Sequence, residues 1–121
     1  MACLALVTAG PSAIGASLVI GLAGAGYDVG FTHLGQSDAA NALIAAVQSK
    51  GRRARAWESD ASDEAQVLAF HTEAAAWANT APSVMVNNAG IQTWSSLLDL
   101  KVDDWNRVKI GRASCRERVF R

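Results

Sequence analysis

The chain has 121 residues, half of them hydrophobic and 18% charged, with a formal net charge of zero. That length leaves room for one domain, and that apolar fraction excludes a disordered chain. Two cysteines, Cys3 and Cys115, are too few for a disulfide framework, and no stretch reaches the ~18 consecutive apolar residues of a membrane span.

The apolar segment 4–22 is broken by Pro11 and by Gly10, Gly15 and Gly21, and no basic region precedes it. A signal peptide is therefore not expected, and the composition points to a soluble cytoplasmic protein with no membrane and no nucleic-acid partner. Charge is unevenly spread. Residues 1–108 hold six Lys/Arg against ten Asp/Glu, net −4, whereas residues 109–121 hold five against one, net +4.

In chain order, residues 3–8 read as a buried parallel strand, a continuous apolar run with Cys3 as a small inert hydrophobe. Ser12 is the natural N-cap of a helix over 14–23, which Gly21 and Gly24 weaken and Gly26 closes. A second strand is predicted over 27–32. Ser37 and Asp38 then cap a second helix that buries Ala42, Leu43, Ala46 and Val47, with Gly51 just past its end. A third strand covers 54–58, and a third helix starts at Ser62. Val67, Leu68, Phe70, Ala74 and Trp77 give that helix its spacing, and Ala81-Pro82 ends it. The fourth strand, 83–86, runs into Asn87-Asn88-Ala89-Gly90. A loop with Trp94 follows, then a helix start at Val102-Asp103-Asp104 that continues through Trp105 and Val108. Strands alternating with helices predict an α/β, Rossmann-type parallel sheet with flanking helices, strand order 3-2-1-4.

Two loops carry chemistry. After the first strand comes Thr8-Ala9-Gly10-Pro11-Ser12-Ala13-Ile14-Gly15. Strand, tight turn and helix start place unpaired helix N–H groups where a phosphate can meet them. Read functionally, the Ser12 and Ile14 amides face a pyrophosphate and Gly15 lets the helix approach the strand; read structurally, this is an ordinary βα turn. The second loop is Asn87-Asn88-Ala89-Gly90, where asparagines can tie neighbouring loops to the strand end; the plain alternative is a polar turn.

Taken together with Asp60-Ala61 after the third strand, these stretches resemble the short-chain dehydrogenase/reductase family. Its pattern is T-G-x-x-x-G-x-G, then an Asp, then N-N-A-G. The N-N-A-G match is complete. In the Gly-rich loop Thr8 and Gly15 fit, but Ala9 and Ala13 stand in place of two glycines. The resemblance covers residues 3–108, which defines a dinucleotide-binding part over 1–108. It implies a cofactor site of Gly10, Pro11, Ser12, Ile14, Gly15, His33, Asp60, Ala61, Asn88, Ala89 and Gly90. Asp60 would meet the adenine amino group and Asn88, Ala89 and Gly90 the adenosine ribose. His33 and Leu34 would stand near the ribose 2′ position. No acid is present there, which inclines the reading to NADP(H) over NAD(H).

The implied activity is alcohol/carbonyl interconversion on a small molecule, in a parent that is a homo-oligomer. The family's catalytic Ser and Tyr-x-x-x-Lys are not found: Tyr27, the only tyrosine, has no Lys partner, and the position of the family's helix Asn holds Arg112. No catalytic residue is therefore assigned. Ser95 and Ser96 come too early and read as loop residues. His33 and His71 lie at no metal-ligand spacing, so no metal is expected. Trp94 could face a substrate pocket, and Arg52, Arg53 and Arg55 read as a solvated basic cluster. Residues 110–119 also read as one frame of a sequencing adapter, so 109–121 are expected to be a non-native tail, with a basic arm or an amphipathic terminus as rival readings. A non-catalytic nucleotide-binding or interaction module stays open as the other functional class.

Overall fold

The computed structural model describes residues 3–89, 98–103 and 105–106. Its elements are β1 (Cys3–Val7), α1 (Ala13–Gly24), β2 (Tyr27–His33), α2 (Ser37–Gln48), β3 (Ala54–Glu58), α3 (Glu64–Ala78) and β4 (Pro82–Val86). The strands form one parallel sheet in the order β3-β2-β1-β4, as the alternating pattern predicts. Trp94 and the residues from 107 onward lie outside the described residues, as do Ser95, Ser96, Val108, Arg112 and Cys115.

Leu4, Ala5, Leu6 and Val7 of β1 are fully buried because β1 is covered on both faces. Side chains alternate between two cores. Val7, Val29 and Phe31 pack with Val19 and Ala23 of α1 and with Ala40, Leu43 and Val47 of α2. Leu4 and Leu6 pack on the other face with Trp57, Phe70 and Ala74, flanked by Trp77, Ala78 and Met85. Gly30 makes room for this second core, since a Cβ there would lie 3.0 Å from Leu6 Cδ2 and 3.1 Å from Trp57 Cζ3.

Ends of elements follow local chemistry. Ser12 caps α1, its side chain accepting from the Gly15 amide. The exposed Gly21 and Gly24 lie off the buried line of Gly15, Val19 and Ala23. Gly26 and Gly51 take φ of +99° and +77° just past α1 and α2, where a Cβ would be strained.

Several expectations need correction. Cys3 is exposed at the first position of β1. The N-cap of α2 is Gln36, without a side-chain cap, and Ala40 joins Leu43 and Val47 on the buried face where Ala42 was expected. The third helix is capped by Asp63, not Ser62; its carboxylate accepts from the Ala65 and Gln66 amides. That helix stops at Asn79, whose left-handed conformation ends it ahead of Ala81-Pro82. Leu68 is 43% exposed, outside the core.

The basic cluster is not simply solvated. Asp28, 2% exposed, accepts from the Arg53 backbone amide (3.1 Å) and from Arg53 Nε and Nη2 (3.2 and 2.9 Å). Arg52 Nε lies 3.4 Å from Asp28 Oδ1, within ion-pair reach but not aligned as a hydrogen bond. Arg53 stacks over Trp77 and Arg55 over Trp57.

Candidate functional site

Helices α1 and α2 cover one face of the sheet and α3 the other, so the crossover direction reverses between β1 and β4. In open parallel sheets a crevice forms beyond the carboxyl ends of the strands at such a reversal. The two loops singled out above, after β1 and after β4, meet there.

The β1 loop is held by Thr32. Its hydroxyl accepts from the Ala9 amide at 3.1 Å, and its carbonyl accepts from the Gly10 amide at 3.0 Å. Ala9 adopts φ +57°, in the left-handed region where a Cβ costs roughly 1–2 kcal/mol. Glycine is required next door: a Cβ on Gly10 would lie 2.5 Å from Phe31 Cδ2, and one on Gly15 would lie 2.2 Å from the Ala9 carbonyl oxygen. Gly15 thus lets α1 start directly against the loop.

Thr8 and Asn88 lock the β4 loop onto the β1 loop. The Thr8 hydroxyl accepts from the Asn88 and Ala89 amides at 3.0 and 2.8 Å. Asn88 Nδ2 reaches the Thr8 and Ala9 carbonyls, each at 3.2 Å, and Ser12 Oγ at 3.0 Å. Ser12 Oγ in turn donates to the Ala9 carbonyl at 2.9 Å while accepting from the Gly15 amide at 3.0 Å. Every hydrogen-bonding capacity of the Ser12 hydroxyl is therefore used inside the loop.

This network changes one expectation. The Ser12 amide donates to the Ala9 carbonyl at 3.2 Å and so does not face outward. The Ala13 and Ile14 amides belong to the first turn of α1, where N–H groups have no intrahelical acceptor. They border a cavity of about 410 Å³ lined by Ser12, Ala13, Ile14, Leu18, Val86, Asn87 and Asn88. Ile14 is 69% exposed beside it. Asn87 Oδ1 is buried there without a hydrogen-bond partner.

The remaining sequence-predicted residues sit at the same end of the sheet. His33 closes β2, buried, with Nδ1 accepting from the Gln36 amide at 3.2 Å. Asp60 follows β3; its Oδ1 accepts from the Ser62 amide and hydroxyl at 2.9 and 2.7 Å, which fixes the turn into α3. Ala61 is half-buried beside it. Gly10, Pro11, Ser12, Ile14 and Gly15 are gathered at the crevice with Asn88 and Ala89; Gly90 lies outside the described residues. Sequence reasoning missed the roles of Thr8 and Thr32 as hydroxyl acceptors for loop amides. The available signal is a threonine at the carboxyl end of each of two adjacent predicted strands. Tyr27 pairs in register with Cys3 at the amino end of the sheet, the side away from this crevice. Among the described residues no group of His, Cys, Asp or Glu could hold a metal ion, and no helix is long and apolar enough to cross a membrane.

Residues 3–110 match the family model described as short chain dehydrogenase. The chain is 32% identical over 104 residues to 3-oxoacyl-[acyl-carrier-protein] reductase FabG of Staphylococcus aureus, covering 86% of this chain and 42% of that protein. It is 30% identical over 105 residues to Elsinochrome reductase 1 of Elsinoe fawcettii, covering 87% of this chain and 39% of that protein. Among solved structures, a short-chain dehydrogenase/reductase from Serratia marcescens superimposes with a TM-score of 0.89 at 29% identity, over 97% of this chain and 47% of that one. A blue fluorescent protein from a metagenomic library, in complex with NADPH, does so with a TM-score of 0.88 at 35% identity, over 97% of this chain and 48% of that one. The chain thus spans less than half the length of these relatives. A Rossmann-like sheet in the order β3-β2-β1-β4 and a family match over nearly all its length place this chain in the short-chain dehydrogenase/reductase family.

Proposed function

We propose that this chain is the cofactor-binding part of an oxidoreductase that interconverts an alcohol and a carbonyl with NAD(P)(H). The observation that carries the reading is the bonded crevice between β1 and β4. The Thr8 hydroxyl, the Ser12 hydroxyl and Asn88 Nδ2 are spent on one another and on the loop backbone. That leaves the Ala13 and Ile14 amides, at the positive end of α1, for an anion.

The residues present fit a dinucleotide. The first-turn amides would bind its diphosphate, and Gly10 and Gly15 keep the loop low enough for it to approach. His33, Asp60, Ala61, Asn88, Ala89 and Gly90 would receive the adenosine half, and the cavity bordered by Ile14, Val86 and Asn87 would take the other end. When bound, the nicotinamide supplies the hydride. Asn87 Oδ1 is an acceptor with no protein partner, suited to an amide donor from that end of the cofactor. A small-molecule carbonyl or alcohol is the substrate class, and the parent protein is a cytoplasmic homo-oligomer. The proton-transferring groups are supplied by residues other than those described: Tyr27 lies at the wrong end of the sheet. The chain by this reading binds cofactor without turning it over, and residues 109–121 are a non-native tail. NADP(H) is favoured over NAD(H) by the absence of an acid at the end of β2.

Isothermal titration of the full chain with NADPH, NADH and ADP-ribose tests this. Saturable binding of at least one dinucleotide, weakened by Asn88→Ala, is expected. No binding of any of the three overturns the reading.

A further inference from the structure

We propose that Thr32 is a positioning residue for the diphosphate: its hydroxyl holds Ala9 in the left-handed conformation from which the first-turn amides of α1 are aimed. This deepens the reading above and rests on it. Residue type does not ask for that conformation. Ala9 carries a Cβ at φ +57°, at a place where the family pattern has glycine. Its surroundings must therefore hold it there.

The φ and ψ of one residue set the relative orientation of the two peptide planes that flank it. Both planes beside Ala9 are bonded on their N–H side to Thr32. The Ala9 amide donates to Thr32 Oγ1 at 3.1 Å, and the Gly10 amide donates to the Thr32 carbonyl at 3.0 Å. The carbonyl sides of the same planes face the rest of the site. The Thr8 carbonyl accepts from Asn88 Nδ2 at 3.2 Å. The Ala9 carbonyl accepts from Asn88 Nδ2 at 3.2 Å, from the Ser12 amide at 3.2 Å and from Ser12 Oγ at 2.9 Å. Thr32 is buried, so its hydroxyl is shielded from competing water.

Of the two bonds from β2, one is made by backbone and one by a side chain. Without the hydroxyl the Ala9 amide loses its acceptor, and turning that peptide plane relieves the crowded Cβ as well. Both changes favour a negative φ. The turn draws the Ala9 carbonyl away from Ser12 Oγ, whose other bond caps the Gly15 amide. The start of α1 then loses its anchor, and the Ala13 and Ile14 amides lose their aim. Ligand affinity falls with the fraction of molecules whose loop stays in the binding conformation. Glycine at residue 9 removes the dependence, because glycine takes left-handed backbone without a steric penalty.

The test is isothermal titration of the full chain and its variants with NADPH and with ADP. Thr32→Val keeps the side-chain shape and removes the acceptor; it is expected to weaken both ligands roughly ten- to thirtyfold. Thr32→Ser keeps the hydroxyl and should stay within about threefold of the wild type. Adding Ala9→Gly to Thr32→Val should restore affinity to within about threefold, although it returns no hydrogen bond. A hydroxyl that only stabilised the sheet gives no such rescue from residue 9. Unchanged affinity in Thr32→Val, an equal loss in Thr32→Ser, or a loss that Ala9→Gly does not repair overturns this proposal alone. Should Thr32→Val not fold, the double variant is compared with Ala9→Gly; a difference of more than about threefold, or a double variant that does not fold, overturns the proposal. Binding of neither ligand by the wild type overturns the cofactor reading, and this proposal with it.

Discussion

At the carboxyl end of the sheet, the polar side chains of Thr8, Ser12, Thr32 and Asn88 are uncharged and bond to loop backbone. At the amino end, polarity is ionic and closed on itself: Asp28 is wrapped by Arg53, which stacks in turn on Trp77. Neutral side chains bonding to backbone fix a shape and leave amides over for a ligand. An ion pair between buried Asp28 and Arg53, with the guanidinium stacked on one indole ring, ties β2 to the chain entering β3 and engages the carboxylate fully. Both ends are polar, but the first borders a cavity with first-turn amides, and that contrast separates a binding region from a structural one.

The contrast can be broken most severely at Gly15. Gly15→Ala forces a Cβ against backbone oxygen at 2.2 Å, and the loop must shift to admit it. A loss of about 2–4 kcal/mol in chemical denaturation is expected, together with loss of dinucleotide binding. Asn88→Ala removes the side chain that bridges both loops. It should cost about 2–3 kcal/mol and weaken nucleotide binding, as read by titration.

At the opposite end Asp28→Asn should cost about 1–3 kcal/mol, since it leaves Arg53 with a weaker partner that is itself buried. Nucleotide affinity measured on the folded variant should not change, and a change would erase the distinction between the two ends. Burial pushes the Asp28 carboxyl up, but the Arg53 amide and guanidinium, with Arg52 beside them, outweigh it and hold the group below the ordinary carboxylate value. A depressed carboxylate contributes stability above its unfolded-state pKa and loses it as pH falls through the folded value. Wild-type denaturation midpoints should therefore drop on acidification below pH ~4, and Asp28→Asn should flatten that part of the profile. The smallest effect is a gain. Ala9→Gly relieves the left-handed Cβ at φ +57°, and should raise stability by about 1 kcal/mol without weakening binding.

Much of this was legible in the chain. The strand positions and the cap at Ser12 come from hydrophobic runs and a local hydroxyl, and the glycines from a turn that tolerates no Cβ. These are local properties, carried by neighbours in sequence. The helix starts at 37 and 64 differ from the sequence expectation by one or two residues: α2 begins after Gln36 with no side-chain cap, and at α3 the Asp63 carboxylate, rather than Ser62, takes the first-turn amides. The basic cluster was misread because its partner, Asp28, lies across a strand pairing that no local pattern announces.

Alternating apolar segments settled how many layers the molecule has and where its turns fall, because periodicity in the chain dictates which sides of each element must leave water. Contacts between residues about eighty positions apart, Thr8 with Asn88 and Ala89, were decided only when β4 came to lie beside β1. Hydrogen bonds depend on tenths of an ångström and on direction, so their pairing follows from three-dimensional placement and not from residue type.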